Sequence, residues 1–340
     1  MSDVPTPPGE TAAPASALPS PQPSTLRNIF IGKDGLRAGW SLLIFISMLV
    51  TIALSARSIV HKIHPSAGNT PQAIQYEMSK PNVLLLGEGI QFLAILFVTW
   101  VMSWIERRPN SAYGLGGSRK APYFFAGLGW GVVCLSLLVF TLWKSGLLVI
   151  ESRQLFGSDA VRYGAIWLLG FLLVGLFEEY LTRGFVQYTL TRGFAGLYEW
   201  IFKTPHSRAL GFWTAALLMS LLFGLGHGSN PGESPIGLLS AGLAGLVFCL
   251  SLWRTGSLWW AIGFHTAWDW SQSFLYGVAD SGLMVQHHLL ATHPVGKPIL
   301  SGGTTGPEGS IYILAIFGVI CLIIFLTLRR TSPPTAPAGA

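Results

Sequence analysis

Charged side chains are scarce in this sequence. Asp, Glu, Lys and Arg make up only 11% of the 340 residues, whereas about 25% is usual for a soluble globular protein. Hydrophobic residues make up 51% and are gathered in long blocks, which excludes a disordered, fibrous or disulfide-stapled chain. The sequence therefore predicts an all-α, polytopic membrane protein.

Cysteine is also scarce, and no cleavable signal peptide is evident. Cys134, Cys249 and Cys321 all lie inside apolar runs, so we expect them to pack as small hydrophobic residues rather than to form disulfides or a thiolate metal site. The first 25 residues contain seven prolines and no basic segment, which is not the pattern of a secretory signal. We expect a disordered, Pro-rich cytoplasmic tail over residues 1–35, a transmembrane helical domain over 36–330 and a disordered tail over 331–340.

Eight apolar stretches are long enough to cross a bilayer, which needs about 20 residues. They are residues 38–56, 83–105, 121–142, 164–188, 209–227, 235–253, 257–275 and 309–328. With the N-terminus inside, 13 Lys and Arg residues lie on the cytoplasmic side and 7 on the opposite side, with Arg183 set aside within the membrane. The positive-inside rule therefore predicts a multi-pass protein of the cell membrane with both termini cytoplasmic.

The excess of basic over acidic residues does not indicate a nucleic-acid partner. The net charge is +6, but the basic residues stand in short clusters between apolar blocks, where they orient membrane helices. The lipid bilayer is therefore an expected partner, and no oligomeric state is predicted. The connection over residues 276–308 contains His287, His288 and His293. We interpret it as an ordinary solvated loop rather than a metal site.

Titratable residues are concentrated in three of the apolar spans, where their cost indicates a function. In the fourth span, Glu179 and Arg183 are four residues apart and share one helical face. This spacing predicts an ion pair between them. Glu178 is rotated by about 100° from Glu179 and has no partner within the motif. Burial without a partner suits a carboxylate to act as a general base near neutral pH.

The fifth and seventh spans supply imidazoles. His265 and Asp269 are four residues apart on one face, so they could bind a metal, or one could orient the other. His227 follows a Gly-rich helix end. Each feature alone also has a purely structural interpretation, but together Glu178, His227, His265 and Asp269 could converge on one water and hydrolyse an amide, with imidazole or metal stabilising the oxyanion.

The position of His227 raises a geometric question. The residue lies at the outer end of the predicted fifth span, whereas Glu178 and His265 lie near the middle of theirs. Either the fifth span ends early and residues 228–235 enter a water-filled cavity, the place where non-helical backbone is tolerated at membrane depth, or the predicted boundary is displaced by about one turn.

The motifs together resemble a known family. In chain order they are Glu178-Glu179-x-x-x-Arg183, Phe223-x-x-x-His227 and His265-x-x-x-Asp269, with His227-Gly-Ser-Asn-Pro231 and Thr255-Gly-Ser-Leu258 as flanks and Leu36-Arg37-Ala38-Gly39-Trp40 before the first span. This ordered set resembles the CAAX protease and bacteriocin-processing (CPBP, or Abi) family of intramembrane endopeptidases, which includes the Ras-converting CAAX prenyl endopeptidase. The motif-bearing resemblance covers residues 164–274.

The resemblance implies a bundle of about eight helices with a catalytic core at about residues 164–275. It implies that Glu178 activates water and that His227 and His265 assist, with the residue at position 269 helping to hold the water or the oxyanion. Members usually carry Asn there. An ionised Asp cannot donate a hydrogen bond, so Asp269 fits better as a metal ligand or as a group that orients His265.

Supporting residues and a cofactor also follow from the resemblance. It implies that Glu179, Arg183 and Phe223 maintain the geometry of the site. It leaves open Zn²⁺ held by His227, His265 and Asp269, or a metal-free glutamate mechanism.

The expected function is therefore intramembrane cleavage of a peptide or membrane-protein substrate, membrane-associated or prenylated in type. Two alternatives stay open. One is a catalytically silent scaffold or immunity protein of the same fold, against which the intact Glu178 argues. The other is a proton-relay transporter or channel, against which the lack of a visible internal repeat argues.

Overall fold

The computed structural model describes residues 25–63, 76–77 and 79–329. The predicted C-terminal tail and the Pro-rich residues 1–24 lie outside the described residues. In the first compact unit, Met1–Arg37, the described part consists of helix α1 (Thr25–Phe30) and the antiparallel strands β1 (Ile31–Gly32) and β2 (Gly35–Leu36). Over residues 25–35 the structure thus differs from the predicted disorder, because a short helix and a tight hairpin form there.

The second unit, Ala38–Ala340, is built almost entirely of helices. In the described part these are α2 (Ala38–Ile63), α3 (Pro81–Glu106), α4 (Lys120–Lys144), α5 (Gly157–Glu179), α6 (Gln187–Phe202), α7 (Ser207–Gly226), α8 (Pro235–Thr255), α9 (Trp259–Asp269), α10 (Pro298–Ser301) and α11 (Ile313–Thr327). Two π-helical segments, Tyr180–Val186 and Trp270–Leu275, continue α5 and α9. Strands β3 (Leu148–Arg153) and β4 (Leu290–Pro294) form an antiparallel pair.

Six helical segments of the described chain are long and apolar enough to cross a membrane. They are Ala38–Ser58, Pro81–Glu106, Lys120–Lys144, Gly157–Phe202, Ser207–Ser229 and Pro235–Thr255. They confirm the predicted all-α, multi-pass membrane fold. The predicted seventh and eighth spans are also helical, but α9 has 11 residues before its π-segment and α11 has 15, so both are shorter than predicted.

At one end of the bundle, defined here as the Glu106 end, a buried carboxylate joins several elements. Glu106 accepts hydrogen bonds from Ser41 at the start of α2 (2.5 Å) and from Arg192 in α6 (3.0 Å). Close to the end of α3, Gly114 accepts a backbone hydrogen bond from Leu258 at 2.9 Å. The start of α2 and of α9 therefore lies at the same end as the end of α3.

The opposite end, defined here as the Ser281 end, is closed by connections. The β3–β4 pair joins the connection after α4 to the connection after α9. Ser281, also after α9, accepts a hydrogen bond at 2.8 Å from Asn230, which lies between α7 and α8.

At the Glu106 end, Arg254 of α8 donates to the backbone of Leu328 after α11 at 2.9 Å. Helices α9 and α11 therefore run between the same two ends as the longer helices.

Close backbone contact fixes α9 against α4. A Cβ atom at Gly127 of α4 would lie 2.1 Å from the carbonyl oxygen of Trp260, and one at Gly263 of α9 would lie 2.1 Å from that of Phe124. Small residues allow helices in a membrane to approach in this way. The packing holds the helix that carries His265 and Asp269 in a defined position.

Candidate active site

A buried glutamate links two of the three predicted motifs. Glu179 at the end of α5 is completely buried. Its Oε1 accepts hydrogen bonds from Arg183 Nη1 at 2.8 Å and from His265 Nδ1 at 2.9 Å. The ion pair predicted from the four-residue spacing is therefore present. The contact with His265 was not predicted, because it joins helices that are distant in the sequence.

Phe223 contacts the arginine of this pair. The guanidinium carbon of Arg183 lies 4.1 Å from the centroid of the Phe223 ring and 5.6 Å from that of Phe248. A cation over the face of an aromatic ring is attracted to it, most strongly where water is excluded. The second motif is thus tied to the first through a cation–π contact.

Glu178 has a different environment from Glu179. Its side chain is 27% exposed, and its Oε2 lies 3.7 Å from His265 Nε2. That separation is too long for a direct hydrogen bond. Within the described chain, this buried oxygen has no hydrogen-bond partner. The carboxylate therefore retains the capacity to accept a hydrogen bond from a water molecule.

The hydrogen bond from His265 Nδ1 determines what the other ring nitrogen can do. An ionised carboxylate only accepts hydrogen bonds. Nδ1 of His265 therefore carries the proton and donates a hydrogen bond to Glu179. His265 Nε2 then faces Glu178 Oε2 at 3.7 Å and Asp269 Oδ2 at 3.5 Å. Asp269 is 7% exposed. The imidazole thus lies among three carboxylates, each from a residue in the predicted site.

His227 lies where α7 has just ended. The helix stops at Gly226 and a short 3₁₀ turn, His227–Ser229, follows. His227 Nδ1 lies 2.8 Å from the carbonyl oxygen of Phe223. Since a carbonyl only accepts, Nδ1 is the donor and Nε2 is left for other partners. The α-helix thus ends within one residue of the predicted boundary at His227, and the helical span continues through the 3₁₀ turn to Ser229.

A small cavity of about 60 Å³ brings the second and third motifs together. Its polar lining includes His227, His265 and Asp269, and its apolar lining includes Phe223, Val247, Phe248, Phe264, Phe317 and Ile320. A water needs at least about 10–15 Å³ of such volume, so the cavity has room for a few. Glu178 is not among the lining residues, but its Oε2 lies 3.7 Å from Nε2 of the lining residue His265.

Both π-helical segments begin directly after motif residues. The first starts at Tyr180, immediately after Glu179, and the second starts at Trp270, immediately after Asp269. A π-segment shifts the helical register, and such segments are frequent at functional sites. They could not be predicted from apolar periodicity.

Three lining residues of the cavity were missed by the sequence interpretation. Asp280, Ser281 and Glu308 come from the connection after α9, which was expected to be an ordinary solvated loop. That expectation was wrong, because Thr305 in the same connection is completely buried. The available signal was a pair of acidic residues in a Gly-rich connection of a chain with few charges.

Burial affects both of these acidic groups. It raises the pKa of Asp280 well above its usual value, and the Asp269 and Glu308 carboxylates raise it further. Burial also raises the pKa of Glu308, while hydrogen bonds from Ser281 oppose the rise. The loop residues thus share the electrostatic environment of the cavity.

The three histidines of this connection have separate partners. The ring of His287 stacks on Tyr163 with centroids 4.1 Å apart. His288 Nδ1 donates to the carbonyl of Leu290 at 2.7 Å, and His293 Nδ1 lies 2.9 Å from Glu151 Oε1 across the β3–β4 pair. Each imidazole is thus tied to a different part of the chain.

The predicted zinc ligands His227, His265 and Asp269 line one cavity. In the part of the chain that the structure describes, no group of three or more His, Cys, Asp or Glu side chains is arranged to hold a metal ion. His265 and His227 each use Nδ1 for a protein acceptor, which leaves Nε2 available for a metal ion or for an oxyanion. Zn²⁺ and the metal-free glutamate mechanism therefore both stay predictions.

Comparison with known proteins supports the motif interpretation. Residues 160–271 match the family model described as type II CAAX prenyl endopeptidase Rce1-like. The resemblance to the CAAX endopeptidase family is confirmed. The match, called here the Rce1-like segment, includes every predicted site residue from Glu178 to Asp269 but ends before Asp280, Ser281 and Glu308. No curated protein and no solved structure gives a significant match to this chain.

Proposed function

We propose that this multi-pass membrane protein is an intramembrane endopeptidase that hydrolyses a peptide bond in a membrane-associated or prenylated substrate. One observation carries the proposal: Glu178 Oε2 is buried, has no hydrogen-bond partner within the described chain and lies 3.7 Å from His265 Nε2. A contact of this length is often bridged by water. The match of the Rce1-like segment supports a peptidase as the class of enzyme.

In the proposed reaction, Glu178 acts as the general base. A water next to Glu178 Oε2 loses a proton to the carboxylate as its oxygen attacks the carbonyl carbon of the peptide bond. The carbonyl oxygen becomes an oxyanion. When the carbon–nitrogen bond breaks, the protonated Glu178 returns the proton to the leaving nitrogen. The products are a carboxylic acid and an amine, which ionise to a carboxylate and an ammonium group by transfer of the acid's proton, and Glu178 is again a carboxylate, so atoms and charges balance.

The two imidazoles are proposed to stabilise the oxyanion. In its charged form each ring carries a proton on Nε2, and both rings line the cavity. Asp269 Oδ2, 3.5 Å from His265 Nε2, is proposed to orient that ring rather than to donate to the oxyanion. Glu179, which is paired with Arg183, accepts from Nδ1 of His265. Phe223 contacts Arg183 through its ring and His227 through its carbonyl oxygen.

The alternatives of a silent scaffold and of a proton relay have less support. A scaffold would not need a carboxylate at position 178 whose Oε2 is buried without a hydrogen-bond partner in the described chain, since such groups are costly in a membrane. A relay would need a connected route between the two ends, whereas the cavity is small and lies close to the connections of the Ser281 end.

Comparison of peptides in cell membranes tests this proposal whichever membrane protein is the substrate. Cells with the wild-type protein are compared with cells that carry Glu178→Ala. We expect specific membrane peptides with new C-termini to disappear in the variant. Glu151→Ala, which removes an exposed carboxylate of β3, is the matched control and should retain them. Identical peptide sets in wild type and Glu178→Ala would overturn the proposal.

A further inference from the structure

A chain of hydrogen bonds connects Glu308 to His227. Glu308 Oε1 accepts from the backbone N–H of Ser281 at 2.5 Å and from its hydroxyl at 3.0 Å. The carbonyl of Ser281 accepts from the side-chain amide of Asn230 at 2.8 Å. The backbone N–H of Asn230 donates to the carbonyl of His227 at 3.0 Å. The carboxylate is thus linked through two loops to the backbone of His227, whose imidazole is proposed to be catalytic.

Ser281 is held in a conformation that serine rarely adopts. Its φ is +44° and that of Gly282 is +81°. These are the central residues of a turn in which Asp280 and Leu283 exchange backbone hydrogen bonds of 2.8 Å. Positive φ at both central positions favours glycine, Asn or Asp. Ser281 therefore needs external support, and both of its donors point to Glu308.

The turn lies directly against the loop that follows His227. A Cβ atom at Gly232 would lie 2.7 Å from the carbonyl oxygen of Gly282. A change in the turn at Ser281 would therefore shift the backbone between His227 and α8. No side chain lies between the two backbones to absorb such a shift.

A second set of contacts joins these loops independently of Glu308. The hydroxyl of Thr304 donates to the carbonyl of Gly232 at 2.8 Å. Thr305 lies 3.1 Å from Glu233 Oε1 and 2.8 Å from the hydroxyl of Ser234. These bonds hold the start of α8, so loss of Glu308 should leave the protein folded and alter mainly the turn at Ser281.

We propose that Glu308 is a positioning residue that holds His227 at the cavity through Ser281 and Asn230. The inference rests on the proposed function for its catalytic meaning. It assigns a role in the site to a residue outside the Rce1-like segment. Glu308 and Ser281 line the same cavity as His227, so the positioning residue and the residue that it positions border one space.

The test uses three variants of the full chain in liposomes with an internally quenched farnesylated peptide that ends in a CAAX sequence. Glu308→Ala removes the oxygen that accepts both hydrogen bonds from Ser281. We expect kcat to fall about 10- to 100-fold with KM nearly unchanged, since small displacements of a catalytic group cost this much. Glu308→Gln keeps an acceptor oxygen and should retain most of the activity. Adding Ser281→Gly to Glu308→Ala should restore part of the activity, because glycine adopts positive φ without strain.

Amide hydrogen exchange over residues 227–234 gives a readout besides activity. We expect faster exchange in Glu308→Ala and wild-type exchange in Glu308→Gln. Wild-type kcat and exchange in Glu308→Ala would overturn the inference. Equal loss of activity in Glu308→Ala and Glu308→Gln, without rescue by Ser281→Gly, would also overturn it, because charge rather than position would then matter. If the wild type cleaves nothing, the proposed function fails, and the exchange data still decide the positioning role.

Discussion

His265 donates a hydrogen bond from Nδ1 to Glu179 and thereby presents Nε2 to Glu178, 3.7 Å away. Two adjacent glutamates therefore contact opposite sides of one imidazole. Glu179 is completely buried and paired with Arg183, whereas Glu178 is partly exposed. The same residue type thus supplies a structural anchor at one position and a reactive group at the next, and the 100° rotation between neighbouring helical residues separates the two roles.

The anchoring role of Glu179 predicts a loss of stability. Glu179→Ala leaves the buried guanidinium of Arg183 without its carboxylate, and removing one partner of a buried ion pair typically costs about 3–5 kcal/mol. We expect a lower thermal unfolding temperature in detergent as well as lost activity. Glu179→Gln, which retains an acceptor, should be less destabilised. Unfolding of Glu179→Ala at the wild-type temperature would contradict the anchoring role.

Asp269 tests whether the fourth motif position orients His265. Asp269→Asn matches the commoner family pattern and keeps an acceptor next to Nε2, so we expect it to retain activity within about tenfold of wild type. Asp269→Ala frees the ring on that side and should lose about 100-fold, as misplaced groups do. The measurement is kcat for the farnesylated peptide. Equal activity of Asp269→Ala and wild type would exclude an orienting role.

Metal content separates the two mechanisms that the motifs allow. Because no group of three or more His, Cys, Asp or Glu side chains in the described chain is arranged to hold a metal ion, we expect the purified protein to contain less than stoichiometric zinc. Treatment with a chelator should leave cleavage unchanged. Stoichiometric zinc that is lost when His227→Ala and His265→Ala are combined would instead favour metal-dependent chemistry.

Orientation in the membrane can be measured at the two ends of the bundle. Ser118 lies near the Glu106 end, Ser158 lies in the first turn of α5 near the Ser281 end, and both are exposed. The positive-inside rule predicts that the Glu106 end is cytoplasmic. In a background without the three native cysteines, an impermeant maleimide added to intact cells should therefore label Ser158→Cys and not Ser118→Cys. The reverse pattern would invert the predicted topology.

Local sequence patterns predicted the parts of the site that depend on one helix. The Glu179–Arg183 pair and the shared face of His265 and Asp269 follow from four-residue spacing. The bond between His265 and Glu179 depends on how α9 packs against α5, which no local pattern specifies. The same holds for Glu308 and Ser281, which reach the cavity only because a long connection folds back onto the loop after His227.

The most direct test of the account is the rate of peptide cleavage by Glu178→Gln in liposomes, compared with wild type and Glu151→Gln. A general base contributes about 10²- to 10⁴-fold to rate. We predict a loss of that size in kcat for Glu178→Gln, with wild-type folding and an unaffected Glu151→Gln control. Cleavage by Glu178→Gln at the wild-type rate would contradict the central claim that this carboxylate activates the water.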